Sequence, residues 1–269
     1  MIKIIRKLIP SSFITPIIFL LKDFRLLPIL FKERYKVGET QILGKSLCYA
    51  DSASFLFLYD EIFIKGIYNF ETDKKDPLII DCGANIGLSI IFLKKLFPKS
   101  YIIAFEPDKK IYSLLKDNIQ SFGFSDIELH RKGLWNEETT LEFFSDESDG
   151  GSLVNKEISR LDTVKIETTL LSNFLKDKVV DFLKIDIEGA ELEVLLESAE
   201  YLKNVQRIFI EYHSFVGKEQ KLSDIIQILN QSGFRIIINN QGLFSPQPFL
   251  KINTASGMDM QLNIFGIRM

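Results

Sequence analysis

The amino-acid sequence predicts an α/β fold built on a doubly wound, mostly parallel sheet of seven strands whose last strand runs antiparallel. Three observations predict it. From about residue 77, short β-rich runs alternate with helical runs, the pattern of parallel strands joined by crossover helices on both faces of a sheet. The first of these strands passes into a glycine-bearing turn, Asp81-Cys82-Gly83-Ala84-Asn85-Ile86-Gly87, at the edge where such sheets bind ligands. The final apolar run, 261–268, follows a polar loop with no helix before it, so it must return antiparallel to its neighbour.

Taken in order, residues 78–82 form the first strand and 86–96 its helix. Strand 101–106 feeds a helix over 109–120, and strand 127–131 follows. There the alternation breaks. Residues 141–168 alternate in β fashion around a polar stretch, 145–155, that carries Gly150 and Gly151, which predicts a β insertion. The alternation resumes with a short helix at 171–174, strand 179–187, helix 191–202, strand 207–211, helix 221–231 and strand 235–238, before the closing strand. Residues 1–40 are expected to be an N-terminal helical extension, and 41–269 the catalytic domain.

Composition limits the function classes. A chain of 269 residues with 46% hydrophobic and 26% charged residues buries one large core plus a small appendage and is neither disordered nor fibrous. A net charge of −3 gives no overall attraction to nucleic acid, and no Asn/Asp-Pro-Pro-Tyr/Phe tetrapeptide follows the fourth strand. Cys48 and Cys82 are too few for a disulfide framework or a zinc cluster, and a reducing, cytoplasmic compartment is expected. Near the N-terminus Lys3, Arg6 and Lys7 precede an apolar stretch at 13–21, but Pro10, Pro16 and Pro28 punctuate it and Lys22, Asp23 and Arg25 interrupt it. It falls short of the roughly 20 apolar residues a membrane span needs. It suits two short helices packed on the domain, or a basic segment lying on the inner membrane surface.

Three groups of residues carry chemistry. In the turn, Gly83 and Gly87 permit a tight bend and a close backbone approach, and the helix start offers free amide donors. A dinucleotide fingerprint would need glycine at positions held by Asn85 and Leu88, so the pyrophosphate reading fails and the amino-acid end of S-adenosylmethionine fits better, with Asp81, Gly83, Asn85 and Gly87 around it. Glu106, followed by Pro107, ends the second strand about 20 residues further on, where a carboxylate accepts the ribose hydroxyls of an adenosine cofactor. The string Lys184-Ile185-Asp186-Ile187-Glu188-Gly189-Ala190-Glu191 closes a strand expected to be buried on both faces, where charges need partners or a use. Period-two alternation puts Phe182, Lys184, Asp186 and Glu188 on one face.

With Phe105-Glu106-Pro107, Thr168-Thr169-Leu170, the string 182–191 and Ile210-Glu211-Tyr212-His213, the chain resembles the FkbM family of methyltransferases from about Phe57 onward; Glu61-Ile62-Phe63 and Tyr68 share its style. The resemblance implies a Rossmann-like class I methyltransferase fold, S-adenosylmethionine as methyl donor, and O-methylation of a natural product or glycan hydroxyl. Methyl transfer from a sulfonium is an in-line displacement in which the protein aligns the acceptor oxygen. A base beside that oxygen helps. Asp186 and His213 are the candidates, with Lys184 either catalytic or a structural partner of the carboxylates. A divalent cation on Asp186, Glu211 and His213 is the alternative. Segments 145–155 and 241–259 are candidate acceptor lids. The competing functions are an inactive scaffold and a nicotinamide dehydrogenase. The sequence fixes neither the acceptor nor the oligomeric state.

Overall fold

A computed structural model describes residues 24–145, 162–241, 243, 245–255 and 257–269. Its elements, in chain order, are β1 (Gly38–Ile42), β2 (Lys45–Tyr49), α1 (Ser52–Tyr59), β3 (Leu78–Cys82), α2 (Leu88–Leu96), β4 (Tyr101–Phe105), α3 (Lys109–Phe122), β5 (Ile127–His130) and β6 (Gly133–Leu134). They continue with β7 (Thr140–Ser145), β8 (Asp162–Thr169), α4 (Ser172–Leu175), β9 (Phe182–Ile185), α5 (Glu191–Ser198), β10 (Arg207–Phe215), α6 (Leu222–Gln231), β11 (Arg235–Asn240) and β12 (Met258–Ile267). The predicted sheet is present, with seven strands in the order β11-β12-β10-β9-β3-β4-β5. Only β12 runs against its neighbours, between β10 and β11. The β insertion is a second, three-stranded sheet in the order β6-β8-β7.

Successive residues of a strand face opposite sides of a sheet. Ile79, Phe182 and Phe209 accordingly enter one core with α2 and α3, while Ile80, Leu183 and Ile210 enter the other with α5 and α6. On the first face the rings of Tyr68 and Phe209 meet edge to face at 5.0 Å. Those of Phe70 and Phe182 stack at 5.2 Å. Between the two cores the parallel strands align so that Asp81 stands opposite Lys184, which places two charges at the centre of an otherwise apolar layer.

The structure departs from the sequence-based expectations at several boundaries. Strand β10 runs to Phe215, four residues past the predicted end, because β12 pairs with it from Arg207↔Ile267 to Phe215↔Met258. Strand β9 is shorter than 179–187: Val180 makes only an isolated bridge to Val205. Helix 191–202 tightens after Ser198 into a 3-10 turn, Ala199–Asn204. The expected border at residue 40 falls inside β1, which pairs with β2 across it. The described part of the N-terminal segment, a 3-10 helix over Phe24–Phe31, buries Leu26 and Ile29 in the same core as Leu47 and Phe55. Residues 1–23 lie outside the described residues. So do 146–161, and with them most of the first candidate lid. Among the described residues no helix is long and apolar enough to cross a membrane.

One buried side chain of α3 hydrogen-bonds the N-terminal hairpin to the domain. Asn118 of α3 accepts from the Cys48 amide at 2.7 Å and donates to the carbonyls of Cys48 at 2.9 Å and Ile86 at 2.8 Å. Asn118→Ala strands three backbone groups, each an unmade bond costing about 1–3 kcal/mol. Urea unfolding should register a loss of about 3 kcal/mol, and a loss under about 1 kcal/mol would show that water replaces the amide.

Candidate active site

Strand β3 ends at Cys82 and α2 begins at Leu88, so the chain reverses through five residues. Gly83 and Gly87 take positive φ values of 86° and 91°. At Gly83 an added Cβ would stand 1.9 Å from the Asp186 carbonyl oxygen. The turn therefore passes against the exit of β9 at a distance only glycine permits. It is fixed by the Gly83 and Ala84 amides, which donate to the Phe105 carbonyl at 3.1 and 2.9 Å. Asn85, at φ 48°, turns its own side-chain oxygen onto the Ile86 amide at 2.6 Å, a local bond that lets Asn hold the left-handed conformation.

Glu106 follows β4 directly, and its amide prolongs the ladder by donating to the His130 carbonyl at 3.0 Å. Its carboxylate accepts from the Asn85 amide at 3.0 Å and from the Asp108 amide at 2.9 Å, which spans the two turns. Burial raises its pKa to about 8, against the pull of these amide bonds. Each oxygen keeps a lone pair, and the carboxylate borders the cavity at this edge.

Lys184 is the hub behind the turn. Its ammonium donates to the Gly83 carbonyl at 2.8 Å and pairs with Asp186 at 3.1 Å and Asp81 at 3.3 Å. Asp81 also accepts from the Ser89 hydroxyl at 2.5 Å; its other oxygen has the ammonium as an ionic neighbour but no well-aligned hydrogen bond. Burial on its own would lower the lysine's pKa, yet the two aspartates hold it well above the ordinary value.

His213 lies further along the rim on β10. Nδ1 is 3.0 Å from Glu191; Nε2 is 3.5 Å from Glu211 and 3.6 Å from Glu188. Burial works against the charged ring, but the three carboxylates outweigh it and raise the pKa well above that of a free histidine. The side chain is wholly buried and does not border the cavity, whereas Asp186, Glu188 and Glu211 do. Glu211 itself is pushed up by burial and by the neighbouring Asp186 charge, with His213 opposing.

Of the residues the sequence singled out, Gly83, Asn85, Glu106, Pro107, Lys184 and Asp186 border one cavity. Asp81 stands behind Lys184, and Gly87 caps α2. His213, expected as a base, has a fully buried side chain and does not border the cavity. Lys184 borders the cavity and among the described residues is engaged by the Gly83 carbonyl, Asp81 and Asp186. The sequence reading gave no part in the site to Phe57, Leu58 or Gln261, which also border the cavity, and found Tyr68 only as a family trait. Segment 57–70 arrives from outside the repeating α/β units, and no spacing rule announces it.

A model described as the methyltransferase FkbM domain matches residues 81–236. Methyltransferase 1 of Beauveria bassiana is 31% identical over 185 residues, covering 59% of this chain and 74% of the relative. The 31-O-demethyl-FK506 methyltransferase FkbM of Streptomyces tacrolimicus is 24% identical over 238 residues, covering 75% and 90%. Among solved structures, methyltransferase FkbM from Methylobacillus flagellatus KT superposes with a TM-score of 0.50 at 18% identity, covering 78% of this chain and 50% of that one; the fold is shared. With the match spanning more than half of its length over a turn, a carboxylate and a lysine hub arranged in this way, the chain belongs to the FkbM family of methyltransferases, a membership that supports S-adenosylmethionine as its cofactor.

Proposed function

We propose that the protein transfers the methyl group of S-adenosylmethionine to a hydroxyl of a sugar, a glycan or a small natural product. The observation that carries the reading is the Glu106 carboxylate, fixed by two amides from two turns at the mouth of the glycine loop. A rigid, preorganised acceptor pair suits the vicinal hydroxyls of a ribose. Two relatives support the choice of oxygen by name: the 2-O-methyltransferase NoeI of Sinorhizobium fredii, 23% identical over 159 residues, and the 31-O-demethyl-FK506 methyltransferase.

In this reading Gly83, Asn85 and the α2 start receive the amino-acid end of the cofactor, Pro107 shapes the floor beside the ribose, and Asp81 with Lys184 keeps the turn in place. Asp186, partly exposed at the β9 exit, faces the acceptor and takes its proton as the new C–O bond forms. His213 holds Glu188 and Glu211 in register around that oxygen. The loop between β11 and β12 leaves the same rim and exposes Phe249 and Leu250, so an acceptor with an apolar flank suits it.

The test is calorimetry with S-adenosylhomocysteine across pH. Ribose hydroxyls bind the ionised carboxylate in preference to the acid, so the bound form must draw the Glu106 pKa down from about 8. Affinity is then full above that value and falls on acidification, by about tenfold per pH unit below it. Glu106→Gln should flatten the profile and weaken binding by about tenfold to a hundredfold, the worth of a hydrogen bond to a charged group. A flat profile in the parent protein, or an unaffected variant, would refute the ribose assignment.

A further inference from the structure

We propose that Asp186, Glu211 and His213 form a site for one hard divalent cation of the Mg2+ or Mn2+ class, on the acceptor side of the pocket. What the ion does rests on the methyl-transfer reading above; whether it binds does not. One ligand atom from each of the three residues lies within 4.8 Å of the others, close to the span of two coordination bonds. Strand β10 and the exit of β9 hold them on adjacent parallel strands.

The histidine is oriented as a ligand would be. Nδ1 faces Glu191 at 3.0 Å, the carboxylate that fixes ring orientation in metal–histidine triads. Nε2 is thereby aimed at Glu211, at 3.5 Å, too far for a good hydrogen bond. Charge points the same way. Among the described residues, the carboxylates of Asp81, Asp186, Glu188, Glu191 and Glu211 face Lys184 and His213, and Lys184 is already engaged by Asp81, Asp186 and the Gly83 carbonyl.

An independent sign of a missing ligand is Tyr68. The side chain is 3% exposed and borders the same cavity, within the electrostatic reach of Asp186 and Glu211. Its hydroxyl makes no hydrogen bond among the described residues. Water held on an ion in this place would supply that hydroxyl with a partner. Two carboxylates with one imidazole favour a hard cation over a thiophilic one. Its open positions would receive the acceptor hydroxyl and acidify it, with Asp186 holding the ion through one oxygen and taking the hydroxyl proton on the other.

The experiment is Mn2+ titration of the full chain without cofactor, followed by the electron paramagnetic resonance of free Mn2+. One ion should bind per chain, and excess Mg2+ should displace it. Glu211→Gln and, separately, Asp186→Asn should each weaken Mn2+ binding by tenfold or more. Asp186 is only partly buried, so that variant keeps the test alive if Glu211→Gln fails to fold. S-adenosylhomocysteine calorimetry on the same preparations separates the two readings. Nucleoside binding without Mn2+ binding overturns the metal site and spares the cofactor assignment; Mn2+ binding without nucleoside binding does the reverse. Equal Mn2+ affinity in the parent and both variants overturns the site.

Discussion

Gly83→Ala should abolish S-adenosylhomocysteine binding and destabilise the fold by about 2–5 kcal/mol, from left-handed strain of about 1–2 kcal/mol and an overpacking term of about 1–3 kcal/mol. The new Cβ would stand 1.9 Å from the Asp186 carbonyl oxygen. That atom belongs to backbone at the exit of a central strand, so no side chain can swing aside to relieve it. Either the turn or β9 must move, and Glu106 loses register with the Asn85 amide in the first case, Lys184 with the Gly83 carbonyl in the second. Urea unfolding reads the stability term. Calorimetry on the folded fraction reads the binding term, where 3 kcal/mol corresponds to more than a hundredfold in affinity. An alanine variant that binds the nucleoside as the parent does would mean that the cofactor lies elsewhere.

The same position explains why the turn could be read in the sequence at all. Glycines at positive φ, a strand before them and a carboxylate at a set distance after them are local facts, and each follows from backbone sterics or strand spacing. The seven strands were legible for a similar reason: apolar runs of the right length between helices leave few topologies, and the lack of a helix before β12 fixed its direction. What sequence could not supply is who meets whom across the rim. His213 has an ordinary place at a strand end, and nothing local reveals that Glu188 and Glu191, from the β9–α5 turn and the start of α5, and Glu211, two residues earlier on its own strand, will converge on it. Tyr68 and the N-terminal hairpin escape for the complementary reason. They lie outside the α/β repeat and join the core through contacts distant in sequence, Tyr68 with Phe182 and Phe209 and the hairpin with Asn118. The last four residues of β10 were missed because their pairing is made by β12, about 50 residues later in the chain.

Lys184→Met should produce the second large effect, a loss of about 3–5 kcal/mol in urea unfolding, the range for removing one partner of a buried ion pair. The ammonium is 4% exposed and Asp81 not at all, so the methionine would leave Asp81 charged or force a proton onto it inside the sheet. The burden falls on Asp81 because Asp186 is 19% exposed and can turn to water. Asp81→Asn combined with Lys184→Met should therefore recover about 1–3 kcal/mol relative to the lysine variant alone, the coupling expected of neighbours in one network. If the double variant is instead additive, the pair is ornamental and the Gly83 carbonyl bond carries the cost. Nucleoside affinity divides the cases further. A double variant that regains stability while still binding weakly would show that the lysine's contact with the turn, more than its charge balance, shapes the pocket.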